Sequence, residues 1–257
     1  MTLALAFSVG IAIGALLGLL GGGGSILAVP ALVYALNLPL SEAIPTSLLV
    51  IGIASATGAL PKIRAHAVEW RMAGIFAVTG IAGTILGSTI GRHVPDNAVL
   101  LGFAVVMIAA GIRMLRGGDD VGTACSTDGS GINWLRCAPR SIPTGFGVGI
   151  LTGLFGVGGG FLIVPALVLL LGIEISVAIG TSLVVIVANS AAGLGAQLDG
   201  LGSNWSLTVA FAGAAIGGSL LAGRYSSRVD GATLQRWFAY LVFAVAAFVA
   251  VDTIFLG

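Results

Sequence analysis

The sequence predicts an all-α polytopic membrane protein built from two homologous repeats, and three observations predict it. Of the 257 residues, 57% are hydrophobic and only 8% are charged, with a mean hydropathy of +1.11, whereas a soluble domain normally carries about 25% charged residues. Continuous apolar runs near the ~20 residues that a helix needs to cross a bilayer recur from end to end, and their continuity favours helices over a barrel. Residues 18–58 also lie on residues 153–193 without a gap, with about 23 identities in 41 positions that include glycine, proline and hydroxyl residues as well as apolar ones. A shared apolar alphabet would not align those types together, so the chain reads as an internal duplication. Residues 1–115 form repeat 1, 116–142 a cytoplasmic linker, and 143–257 repeat 2.

The elements follow in order. Met1-Thr2-Leu3-Ala4 lacks the positive start of a signal peptide, so the first run, 3–20, is expected to be retained as structure. It ends in glycines, and the next run, 25–41, carries Pro30 and Pro39. The run 43–60 is closed by Pro61, and the basic loop Lys62-Ile63-Arg64-Ala65-His66 follows. Trp70, suited to an interfacial anchor, opens a run ending near Gly91, and 98–115 completes the repeat. Between Arg116 and Pro143 the composition turns to Gly, Ser, Thr, Asp and Arg, as a linker requires. Repeat 2 has runs at 143–155, 158–171, 176–197, 205–223 and 232–256. Cys125 and Cys137 lack metal-ligand spacing and a CxxC pair, and read as ordinary loop thiols.

Loop charge indicates how the repeats face. Lys62, Arg64 and Arg71 surround the loop after the third run, whereas the equivalent loop 198–204 has no basic residue; the next loop pair reverses the bias, with Arg92 in the first copy and Arg224 and Arg228 in the second. Because loops rich in Lys and Arg stay cytoplasmic, equivalent loops are expected on opposite sides, and the repeats are inverted. Counting each broken segment as a single crossing would instead give parallel halves and a less clean charge split.

The glycine clusters are the candidate working centre. Gly18-Leu19-Leu20-Gly21-Gly22-Gly23-Gly24-Ser25 and Gly153-Leu154-Phe155-Gly156-Val157-Gly158-Gly159-Gly160 interrupt apolar segments, with Pro30 and Pro165 following at the same spacing as candidate gating or kink residues. Glycine disfavours helix, and helices restarting after the breaks, expected at Ser25 and Gly160, would point unpaired N–H groups and partial positive charge toward the gap. Gly23, Gly24 and Ser25 with Gly158, Gly159 and Gly160 are therefore the candidate contacts for an anion. Thr46, Ser47, Thr181 and Ser182 recur in both copies, and with Asn189 they offer neutral hydrogen bonds that could replace part of an oxyanion's water shell. Close helix packing by the glycines and interhelical bonding by the hydroxyls stand as alternative readings.

Every Lys, Arg, Asp and Glu falls in a loop or near the end of a run, which leaves no carboxylate relay and argues against a proton pump. No HExxH motif or carboxylate pair indicates an enzyme; no catalytic residue, metal ligand or cofactor is expected. A net charge of +1 gives no basis for nucleic-acid binding. The partners expected are a small anionic substrate and the lipid bilayer, and the small-residue run 210–218 suits packing within a protomer or in a homo-oligomer. An anion at the breaks would be held by N–H groups, hydroxyls and helix ends rather than by a lysine or arginine.

At the two glycine motifs, their prolines and the Thr-Ser pairs, the sequence resembles the sulfite exporter TauE/SafE family of membrane permeases over essentially the whole chain. The resemblance implies a multi-pass inner-membrane exporter of small sulfur-containing anions such as sulfite or organosulfonates. A passive anion channel, or an importer coupled to H+ or Na+, is the alternative. Ser25 stands where the second copy has Gly160, and Gly22 where it has Val157, so the two half-sites cannot be chemically equal.

Overall fold

A computed structural model describes residues 2–32, 36, 38–91, 93–116, 134–155, 160–195, 205–226 and 229–255. Among these residues the fold is helical and holds no strand: α1 (Thr2–Leu20), α2 (Gly23–Pro30), α3 (Leu40–Arg64), α4 (Trp70–Gly91), α5 (Asp96–Arg116), α6 (Trp134–Phe155), α7 (Gly160–Pro165), α8 (Ile175–Gly195), α9 (Trp205–Ser226) and α10 (Gly231–Phe255). Segments Glu42–Arg64, Trp70–Gly87 and Ile175–Leu194 are each long and apolar enough to cross a membrane. The apolar helices Ala6–Leu20, Leu101–Leu115 and Gly160–Leu170 are shorter.

The order of elements recurs from α1–α5 to α6–α10. Proline marks one shared detail. Pro30 ends α2 and Pro165 ends α7, and each is followed by π-helical backbone, at Ala31–Leu32 and Ala166–Leu170. A proline contributes no N–H to its own turn, which frees a carbonyl and favours a shift in the bonding pattern. Elsewhere the helices absorb their prolines: α3 continues through Pro61 to Arg64, past the point where the sequence reading closed the run, and α6 starts at Trp134 and runs through Pro139 and Pro143.

Small residues set the packing. Along α1, Gly10 faces Phe211 and Ala214 of α9, Gly14 faces Ala215, and Gly18 faces Ser219 and Gly223. The numbers rise together, so α1 and α9 run parallel; a β-carbon at Gly14 would overlap the Ala215 backbone. Helices α4 and α6 repeat this relation, with Gly145 against Phe76 and Thr79, and Gly87 against Ile150. The counterpart helices α3 and α8 instead run antiparallel, since Gly52 meets Ser190, Gly193 meets Leu48, and Gly58 lies near Leu183. Gly111 against Phe243, and a 2.8 Å hydrogen bond from Gln235 Nε2 to the Met114 carbonyl, give the same sense to α5 and α10.

The short α7 lies at the centre. Residues Gly160–Val168 are all buried, and Phe161 meets Phe103 edge-on with ring centroids 5.4 Å apart. One apolar core gathers residues of α4 to α8 and α10, with Leu20 of α1 and Ala59 of α3, around α7, while a second joins α1, α2 and α3 to Ile186 of α8 and Phe211 of α9.

Candidate functional site at the glycine breaks

The chain leaves α1 through a tight turn. Gly21 has φ +77, a left-handed conformation that a side chain would strain, and its N–H bonds the Leu17 carbonyl at 2.9 Å. Helix α2 then begins at Gly23 rather than at Ser25, so Gly23, Gly24 and Ser25 form its first turn. The N–H groups of Gly23 and Gly24 come before any intrahelical carbonyl can reach them, which makes them the donors this end can offer a ligand. Ser25 is 2% exposed, and both its N–H (3.1 Å) and its Oγ (2.7 Å) bond the Gly22 carbonyl.

Three elements converge on this turn. A β-carbon at Gly22 would overlap the Gly160 carbonyl at the start of α7, and one at Gly160 would lie 3.1 Å from Ser25 Oγ. Ser182 of α8 closes the other side, its Oγ 2.8 Å from where a Gly21 β-carbon would stand. The structure thus brings together Gly21, Gly22, Ser25, Gly160 and Ser182; of the expected contacts, Ser25, Gly160 and Ser182 meet, Gly24 faces Ile13 and Leu17 of α1, and Gly158 and Gly159 lie outside the described residues.

The remaining expected contacts are placed elsewhere. Thr46 and Ser47 are buried near the start of α3, and because α3 and α8 are antiparallel they sit at the opposite end of that pair from Ser182. Leu48 meets Gly193, and from there Ser182 is about 16 Å along the α8 axis at 1.5 Å per residue. Thr181 Oγ1 accepts the Glu69 N–H at 3.0 Å, tying the α3–α4 loop to α8.

Ser47 and Ser182 use their hydrogens alike, donating to the Ile44 carbonyl at 2.7 Å and the Ile179 carbonyl at 2.8 Å. A hydroxyl bonded this way presents lone pairs outward. To serve an anion it must rotate its hydrogen away from the helix, so the backbone N–H groups are the ready donors in this conformation.

Asn189 borders a separate, small cavity of about 10 Å³ whose polar lining includes Thr84 and Thr152, with Phe76 and Ile163 among its apolar walls. Its Oδ1 is buried without a partner, as is Ser55 Oγ on α3. The cavity has about the room of one water molecule, too little for an oxyanion.

Sequence reasoning missed Lys62. Placed in a solvated basic loop by the reading of Pro61, it lies instead in the last turn of α3 and is 1% exposed, the one buried charged side chain among the described residues. Arg64 and Arg71 are exposed. Lys62 Nζ bonds Ser176 Oγ at 3.4 Å, a long contact for an ammonium, and its Cβ packs beside Gly180. Gly21 rests on Ile179 and Ser182, so the ammonium stem and the glycine turn share consecutive turns of α8. The signal lay in the helical spacing, because Ser55, Ala59 and Lys62 fall on one buried stripe.

The loop-thiol reading of Cys137 is corrected. Cys137 is in the first turn of α6, fully buried and disulfide-bonded, with Sγ 3.6 Å from Ser141 Oγ. Ser141 Oγ also approaches Met72 Sδ at 3.3 Å, which puts Cys137 at the same end as the start of α4. Cys125 lies outside the described residues.

Comparison with known proteins gives a consistent result. The family model described as "Sulfite exporter TauE/SafE" matches residues 6–249. A "Probable membrane transporter protein" of Xylella fastidiosa strain Temecula1 is 36% identical over 247 residues, covering 92% of this chain and 90% of that protein. The "Probable membrane transporter protein YunE" of Bacillus subtilis is 29% identical, covering 79% of this chain and 81% of its own length. No solved structure matches the chain.

Proposed function

This chain belongs to the sulfite exporter TauE/SafE family of membrane transporters, and we propose that it carries a small sulfur-containing oxyanion, sulfite or an organosulfonate, outward across the cytoplasmic membrane. The observation that supports the proposal is the convergence of Gly21, Gly22 and Ser25 with Gly160 and Ser182, directly before the first N–H groups of α2 at Gly23 and Gly24. It places helix-start N–H donors against glycine, where an anion can approach the backbone. Thr46 and Ser47 would form a second contact point displaced along the membrane normal, visited after the first as access alternates. Pro30 and Pro165, at the switches from α to π backbone, are the hinges proposed for that change.

Inversion of the repeats is part of the same reading. The antiparallel course of α3 against α8 and of α5 against α10 supports it, as does the exchange in which α1 packs parallel to α9 and α4 parallel to α6. The basic ends of α3 and α9 then face the cytoplasm. Outward movement of one negative charge gains about 2.3 kcal/mol per 100 mV of interior-negative potential, so export needs no coupled ion.

The test is ligand-dependent thermal stabilisation of the purified protein across sulfite, sulfate, thiosulfate, short sulfonates, phosphate and carboxylates. Sulfite or a sulfonate should raise Tm in a saturable way, and Ser182→Ala should shift that curve to higher concentration. Stabilisation by carboxylates alone would overturn the substrate class.

A further inference from the structure

Where α3 and α9 end side by side, Leu60, Pro61 and Arg64 of α3, the capping residue Ala65, and Leu220 and Arg224 of α9 line a groove of about 500 Å³. It lies outside the glycine site. Its walls are apolar except for the two arginines, each in the last turn of its helix. Pro61 offers no N–H, and Leu60 is 46% exposed.

The groove continues into surfaces that face outward. On α3 the exposed residues Ile53, Ala56, Leu60 and Arg64 recur at helical spacing, an apolar stripe that ends in a cation. On α9, Gly213 and Gly217 meet nothing within 4 Å, Leu221 is 73% exposed, and Arg224 follows at the end. In a membrane protein such stripes contact acyl chains, and an arginine terminating each lies at headgroup depth. A free oxyanion would use the arginines and leave the apolar walls and stripes without a role. A phospholipid with an anionic head satisfies both chemistries at once.

We propose that this groove is a binding site for an anionic phospholipid, its phosphate between Arg64 and Arg224 and an acyl chain along the Leu60 and Leu221 side. Arginine suits the task because its planar fork holds two phosphate oxygens. Occupancy would pin the ends of α3 and α9 together.

The test uses the full chain purified in a neutral detergent, with phosphatidylglycerol, phosphatidylcholine of the same acyl chains, or inorganic phosphate added. Phosphatidylglycerol should raise Tm by several degrees while the other two do not, and the double variant Arg64→Gln/Arg224→Gln should lose that increment. Native mass spectrometry of the unmodified protein should retain phosphatidylglycerol in preference to phosphatidylcholine, a readout independent of whether the double variant folds. Equal retention of the two lipids, an increment unchanged in the double variant, or an increment reproduced by phosphate alone would each overturn the proposal.

Discussion

Lys62 concentrates the residue-scale question. A buried ammonium loses hydration, and one long bond to Ser176 does not replace three donors' worth of water. Its place beside the α8 turns on which Gly21 rests makes it a positive charge able to raise the local anion concentration, a role the sequence suggests for Lys62, Arg64 and Arg71 beside that of setting topology. We expect Lys62→Met to fold with Tm unchanged or raised, because an apolar side chain of similar length removes the desolvation cost. The same variant should raise the KM for anion flux about tenfold, the equivalent of about 1.4 kcal/mol of attraction acting over a distance at an effective dielectric of about 20 rather than through contact. Flux kinetics in vesicles check this, and an unchanged KM would return Lys62 to a purely structural role. Legibility at this scale was uneven. Gly21–Ser25 could be read because glycine clusters are rare in apolar helices, whereas Lys62 was lost when Pro61 was taken as a helix stop. A proline near the end of a helix removes few bonds, so α3 tolerates it.

At the scale of elements, the glycines divide by what they meet. Gly14 lies on the α9 backbone, so Gly14→Val forces α1 off α9; the expected result is loss of folded, monodisperse protein in size-exclusion chromatography. Gly213 and Gly217 face open space, and Gly213→Ala should keep the protein folded and gain about 0.5–1 kcal/mol from helix propensity. The contrast separates glycines that carry a backbone contact from those that face open space, which spacing alone could not do, and Gly22 and Gly24 of the first break fall with the former. It also revises a simple test of the site: a β-carbon at Gly24 would lie 2.5 Å from the Ile13 carbonyl, so a bulky substitution there disturbs α1 as well as any ligand. The run 210–218 packs one face on α1 through Phe211, Ala214, Ala215 and Gly218 and leaves Gly213 and Gly217 open.

At the scale of the whole molecule, the helical membrane fold was legible in the long apolar runs, and the duplication is read from identities at glycine, proline and hydroxyl positions in register. What sequence could not supply was the depth of each constellation. Thr46-Ser47 and Thr181-Ser182 look like one shared site in an alignment, yet antiparallel counterpart helices carry them to opposite ends of the α3–α8 pair. The inverted arrangement proposed for the halves predicts that cysteines introduced at positions 66 and 202 react with an impermeant maleimide from opposite faces of the membrane; labelling from the same face would contradict it. The labelling also fixes the compartment of the Cys137 disulfide, which in a reducing cytoplasm would form only transiently.

The central claim is that two glycine-broken limbs form the path of a small sulfur oxyanion, and the most direct measurement is flux of radiolabelled sulfite from proteoliposomes under a potential negative inside. The account predicts protein-dependent, saturable efflux that needs no Na+ or pH gradient, is competed by sulfonates and is weakened by Ser182→Ala. Efflux no faster than from protein-free vesicles, or a non-saturating conductance, would contradict it.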